Sequence, residues 1–195
     1  MIQKIINFIM MILTIIGSML GMNVSYAGEA TDYVKARHDA ILSAMIIPGN
    51  EQKIVEITGN LIDFDVIAKN SLGDEWENRS ELEKKEYRAL FKQLFQKSYE
   101  ENLKKTSKLQ VSYLKETVDK PFVNVKMSIV DVTNSYEEPS KVDFKVYKVE
   151  NGKWKVIDII TDGDSTVKMY RTQFVKLTQR DGFDVLLKKL KEKLN

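Results

Sequence analysis

Few side chains in this sequence are equipped for chemistry. His38 is the single histidine, and cysteine is absent. A histidine general base or a histidine-rich zinc site therefore has one candidate, and a thiolate nucleophile or thiolate metal site has none. His38 falls in a stretch of helical spacing, where a partly exposed surface position is the expectation. Among the carboxylates, Asp158, Asp162 and Asp164 stand close together ahead of Arg171, around a turn. Such a group can make a ligand or partner contact, or it can supply helix caps and surface ion pairs. Asp158 is the candidate proton-transfer group, because it follows Trp154 and Val156 along one strand face and an apolar pocket makes a carboxylate a stronger base. No histidine or nucleophile accompanies it. The expectation is no catalytic constellation, no metal site and no cofactor.

The ends and the charge narrow the classes further. Lys4 precedes an apolar run from Ile5 to Met22, and Ser25-Tyr26-Ala27 places small residues at the two positions a signal peptidase reads. This pattern predicts a cleavable secretory signal over residues 1–27 and one mature domain over residues 28–195. An uncleaved anchor would use the same run, which is about long enough to cross a hydrocarbon core. Asn7, Gly17, Ser18 and Gly21 interrupt it, and the small-x-small site favours the cut. The whole chain has 30 Lys and Arg against 28 Asp and Glu, so without Lys4 the mature domain is close to neutral. A nucleic-acid partner is excluded on that balance. An exported chain without cysteine has no disulfides and must hold its fold by packing.

The elements that would position these residues are legible from periodicity. Tyr33, Val34, Ala40, Ile41, Ala44 and Met45 repeat at helical spacing from Thr31 to Met45, and Pro48-Gly49-Asn50 breaks the pattern. Asn50 can cap a second helix carrying Ile54, Ile57 and Leu61, and a short third helix runs from about Asp65 to Gly73. Ser80-Glu81-Leu82-Glu83 is a capping box that opens a long helix. Its apolar stripe is Tyr87, Leu90, Phe91, Leu94, Phe95, Ser98, Tyr99 and Leu103, with Lys84, Lys85, Arg88, Lys92 and Lys97 outside. The period then becomes two: Leu109, Val111, Tyr113; Val123, Val125, Met127, Ile129; Val142, Phe144, Val146; and Trp154, Val156. Asn151-Gly152 predicts a tight hairpin with positive backbone angles between the last two strands, and Tyr136-Glu137-Glu138-Pro139 a looser one before them. Two helices close the chain, one through Val167, Tyr170, Phe174 and Leu177, the other through Phe183, Leu186, Leu187, Leu190 and Leu194. The predicted fold class is α+β: a four-stranded antiparallel sheet curved around a long helix, with N-terminal and C-terminal helices.

Two segments carry a resemblance. The first is Asp63-Phe64-Asp65 through Leu72-Gly73 to Trp76, ahead of the capped helix with Phe91 and Phe95. The second is Gly152-Lys153-Trp154-Lys155-Val156-Ile157-Asp158, then Asp162-Gly163-Asp164-Ser165, then Tyr170-Arg171-Thr172-Gln173-Phe174. In order and spacing, from about Val34 to Leu194, they resemble the MlaC (toluene-tolerance) family of periplasmic phospholipid-binding proteins. One departure is Asp164, where the family usually has an apolar residue; it raises a question about the cavity wall there, or else caps the next helix.

The resemblance implies a cystatin-like or nuclear-transport-factor-like fold with an apolar cavity between sheet and helices that takes phospholipid acyl chains. It implies a periplasmic carrier, working as a monomer between an inner-membrane ABC lipid transporter complex and an outer-membrane lipoprotein complex. Under it, candidate lining residues are Phe64, Ile67 and Trp76; Tyr87, Leu90, Phe91, Leu94, Phe95 and Tyr99 on the long helix; Val125, Met127, Ile129, Val142, Phe144, Val146, Trp154 and Val156 on the sheet; and Tyr170 and Phe174. Periodicity alone reads the same residues as packed core. Alternatives within reach of the sequence are a carrier of another lipid such as a hopanoid precursor, an enzyme on the same cone-shaped fold using Asp158, and an adaptor domain held by an uncleaved N-terminus. The Asp158 to Arg171 group could likewise contact a headgroup.

Overall fold

Caps explain where most helices begin. The computed structural model describes residues 28–106, 109–131 and 138–194, so the predicted signal segment and Tyr136-Glu137 of the looser hairpin lie outside the described residues. Helix α1 (Glu29–Met45) starts at Gly28 without a side-chain cap of its own. The carboxylate of Glu116 supplies one from another element, accepting from the Thr31 N–H and Oγ1, each at 3.1 Å. Asn50 occupies the N-cap position of α2 (Glu51–Leu61), but its side chain accepts no bond from the helix, contrary to the expected cap. Asp63 caps α3 (Phe64–Leu72), accepting from Val66 N–H at 3.0 Å. The chain then turns at Gly73 (φ 56°), where an added Cβ would press on the Arg171 side chain at 3.2 Å, and a 3₁₀ turn follows to Trp76.

The predicted capping box forms. Ser80 N–H donates to the Glu83 carboxylate at 2.8 Å and Glu83 N–H to Ser80 Oγ at 3.3 Å, which opens the 26-residue α4 (Glu81–Thr106). Its stripe is turned inward: Tyr87, Phe91, Leu94, Phe95, Tyr99 and Leu103 are buried, Leu90 and Ser98 partly so.

The sheet has five strands rather than four, in the order β1 (Gln110–Asp119), β2 (Phe122–Val130), β3 (Ser140–Lys148), β4 (Trp154–Thr161) and β5 (Asp164–Ser165), all antiparallel. The fifth is two residues long, folded back on Ile160 and Thr161 by Asp162 and Gly163, both at positive φ. A strand that short leaves no periodicity to read. The β3–β4 hairpin also differs from expectation, since only Gly152 (φ 77°) takes a positive angle. The Asn151 side chain instead accepts from Lys153 N–H at 3.1 Å. Val125, Phe144 and Val146 share the inner face, with Val125 paired to Phe144.

Two bulges reset the alternation. One, between Tyr113 and Glu116, interrupts β1. The other lets Val146 pair with Val156 and Lys145 with Asp158, leaving Ile157 as the extra residue. Helices α5 (Thr166–Asp181) and α6 (Phe183–Leu194) complete the domain. The helices packed on the sheet are α1, α2, α3 and α5, while the backbone of α4 runs against α3 and α6 and its rings reach α5. Among the described residues no helix is long and apolar enough to cross a membrane.

Candidate functional site

The predicted lining residues come together. Phe64, Ile67, Trp76, Tyr87, Phe91, Leu94, Phe95, Tyr99, Val125, Met127, Val142, Phe144, Val146, Trp154, Val156 and Phe174 are buried in one contiguous cluster, and Leu90, Ile129 and Tyr170 are packed partly buried against it. Phe91 is its centre, with ring centroids of Tyr87, Phe95, Tyr170 and Phe174 at 5.6, 5.9, 5.2 and 5.9 Å. Tyr170 and Phe174 meet it edge-on, a favoured geometry between aromatic quadrupoles, while Tyr87 stacks on it and Phe95 is tilted. Phe64 meets Phe95 at 6.0 Å, and Phe183 of α6 joins Tyr87 at the same distance. Phe183 was legible as an inward residue of the last helix but not as a member of this ring layer, because only the fold brings α6 beside α4. These side chains pack on one another. Among the described residues a hollow of 740 Å³ lies elsewhere, a surface groove whose lining includes Asp74, Glu75, Arg171, Val175, Lys176 and Arg180.

His38 is not the surface residue expected. It is 8% exposed, and its Nδ1 lies 2.8 Å from the Tyr113 hydroxyl of β1. Burial holds the imidazole below its usual range, opposed by nearby Asp39 and reinforced by Lys35. A folded state that resists protonating His38 loses stability as pH falls below the ordinary value of 6.5, where the unfolded chain takes up the proton first. Thermal unfolding across that range should therefore show wild type losing stability more steeply than His38→Leu, and parallel curves would refute the burial effect.

The acidic group divides among separate structural duties. The second bulge turns Asp158 away from the inner face it was expected to share with Trp154 and Val156, onto the outer side opposite Lys145. There it accepts from Ile159 N–H (2.9 Å), Val167 N–H (3.1 Å) and the Ser165 hydroxyl, tying the turn to the start of α5. Ser165 is the N-cap, accepting from Lys168 N–H at 3.0 Å. Asp162 accepts from Lys141 N–H at 2.8 Å. Asp164 is exposed, so it neither walls the interior nor caps the helix. Arg171 Nε donates to the Asn70 carbonyl at 2.7 Å in the last turn of α3, where the helix dipole favours a cation. Among the described residues no group of three or more His, Asp or Glu is placed to hold a metal ion.

Glu116 and Asp63 are structural residues that periodicity missed. Glu116 reaches α1 only because of the first bulge, and Asp63 also accepts from Tyr147 O–H at 2.6 Å across 84 residues of sequence. For Asp63 the phenylalanine-aspartate segment was a signal; for Glu116 there was none.

Comparison with known proteins fits this geometry. A family model described as MlaC protein matches residues 45–192, which include every residue of the ring layer. Among solved structures, the chain is similar to the phospholipid-binding protein from Ralstonia solanacearum, solved in complex with a phospholipid. The two are 26% identical, with a TM-score of 0.69, over 86% of this chain and 97% of that one. No curated protein matches. With three quarters of its length under one family model and a matching fold, the chain belongs to the MlaC family.

Proposed function

We propose that this protein is a periplasmic phospholipid carrier, exported by residues 1–27 and moving lipid between an inner-membrane ABC transporter complex and an outer-membrane lipoprotein complex. The observation that carries the reading is the relative that holds a phospholipid on this fold over 86% of the present chain. The physical need is clear. A two-tailed lipid exposes on the order of 30 methylenes, and at about 0.8 kcal/mol each its passage through water costs roughly 20 kcal/mol or more. A carrier offsets that cost by offering an interior about as apolar as a bilayer, so loading and release are nearly balanced. The aromatic and aliphatic layer around Phe91, closed on itself in the empty protein, would part to become such an interior, and its residues are the lining we assign to the acyl chains. No reacting group is required.

The proposed cut falls just ahead of Gly28, which lies against Glu116. A Cβ at residue 28 would collide with the Glu116 carboxylate. Cleavage after Ala27 would leave the new α-ammonium of Gly28 beside that carboxylate, an attraction the uncleaved chain lacks. Native mass spectrometry of protein exported from a bacterial host tests both points. The expected species is a chain beginning at Gly28 with one phospholipid retained. Apoprotein alone would refute the carrier, and a chain still beginning at Met1 would refute processing.

A further inference from the structure

The buried stripe of α4 carries two tyrosine hydroxyls in different surroundings. Toward the start of the helix Tyr87 Oη lies 2.6 Å from Ser71 Oγ. Further along the same stripe stands Tyr99, 8% exposed, whose hydroxyl has no hydrogen-bond partner. The other buried side-chain atoms in that condition, on Tyr33, Thr58, Trp154 and Thr178, lie off the stripe of α4. Near Tyr99 is Tyr113 of β1, whose ionisation is opposed by burial first and by the charge of Asp39 after it. Tyr113 in turn holds His38 of α1, and the Lys35 ammonium lies 5.9 Å from its ring centre.

A buried hydroxyl without a partner is costly, and the phenylalanines at 91 and 95 show how the same stripe avoids that cost. A donor kept at Tyr99 has a use if its acceptor arrives with the ligand. In a diacyl phospholipid the first acceptors met beyond the tails are the ester carbonyls. Tails among the rings of Phe91, Phe95 and Tyr170 would place the ester level near Tyr99 and point the phosphate toward the polar, Lys35 end.

We propose that the Tyr99 hydroxyl donates to an ester carbonyl of the bound diacyl lipid and so sets how deep the tails enter. This rests on the carrier reading, and the test separates the two. Delipidated protein is offered equal amounts of dioleoyl phosphatidylethanolamine and its dialkyl ether analogue, and the retained lipid is read by native mass spectrometry. One neutral hydrogen bond corresponds to a preference of roughly 3- to 10-fold for the ester. Wild type should show that preference, and Tyr99→Phe should take up both lipids alike. The variant's lipid-free Tm should equal or exceed that of wild type, because an unpaired hydroxyl has been removed. Equal uptake by wild type, a preference that persists in Tyr99→Phe, or a lowered Tm in the variant would each overturn the assignment. Uptake of neither lipid by wild type would overturn the carrier reading and this proposal with it.

Discussion

Replacing Phe91 with alanine should lower the Tm of the lipid-free protein by about 6–20 °C. Phe91 has no exposed surface and four ring neighbours within 6 Å, drawn from α4 and α5. Truncating such a residue removes its transfer free energy and leaves a hole that rigid neighbours fill only partly, together about 3–5 kcal/mol. For a domain of this size each kcal/mol corresponds to about 2–4 °C. Scanning calorimetry on delipidated protein measures the loss. A drop of less than about 3 °C, well under that range, would show that the ring is a wall of open space in the empty protein rather than part of a packed layer.

The second large effect is expected at Asp158. Alanine there removes the acceptor of two backbone N–H groups and the Ser165 hydroxyl, leaving donors at the α5 N-terminus unpaired. Charged acceptors and lost caps together put the cost at about 2–4 kcal/mol. Denaturant unfolding should report it as a shifted midpoint with an unchanged slope. Because Asp158 lies on the outer side of the sheet, the folded variant should keep its lipid load. An unshifted midpoint accompanied by lost lipid would return Asp158 to the interior and reopen a chemical role.

The contrast between Phe91 and Asp158 shows what the sequence could disclose. Helical spacing located Phe91 and its stripe because burial on one face repeats every three to four residues. Alternation placed Asp158 with Trp154 and Val156, and one extra residue, Ile157, reversed its direction. Bulges leave no mark on a pattern of period two until the pairing strand is known. His38 failed for a related reason: the strand residue it bonds, Tyr113, is 75 residues away. Capping boxes such as Ser80 to Glu83 are local and were readable, whereas Asn50 had the right type without a bond to make. Periodicity also could not say whether an inward residue meets another side chain or a ligand, so the lining rested on the resemblance to the MlaC family.

The bulge in β1 has one more effect. Among the described residues β1 is the outermost strand of the sheet, ten residues long, with Leu114 and Val118 exposed on it. A straight edge of that length would template the addition of a second molecule and, at high concentration, growing fibrils. The interruption between Tyr113 and Glu116 breaks it into two short, misaligned stretches, and Lys115 and Asp119 add charge to the second. A neighbouring strand that began to pair at Gln110 would lose register after four residues. The same irregularity that brings Glu116 to α1 thus also makes β1 a poor template for a second strand.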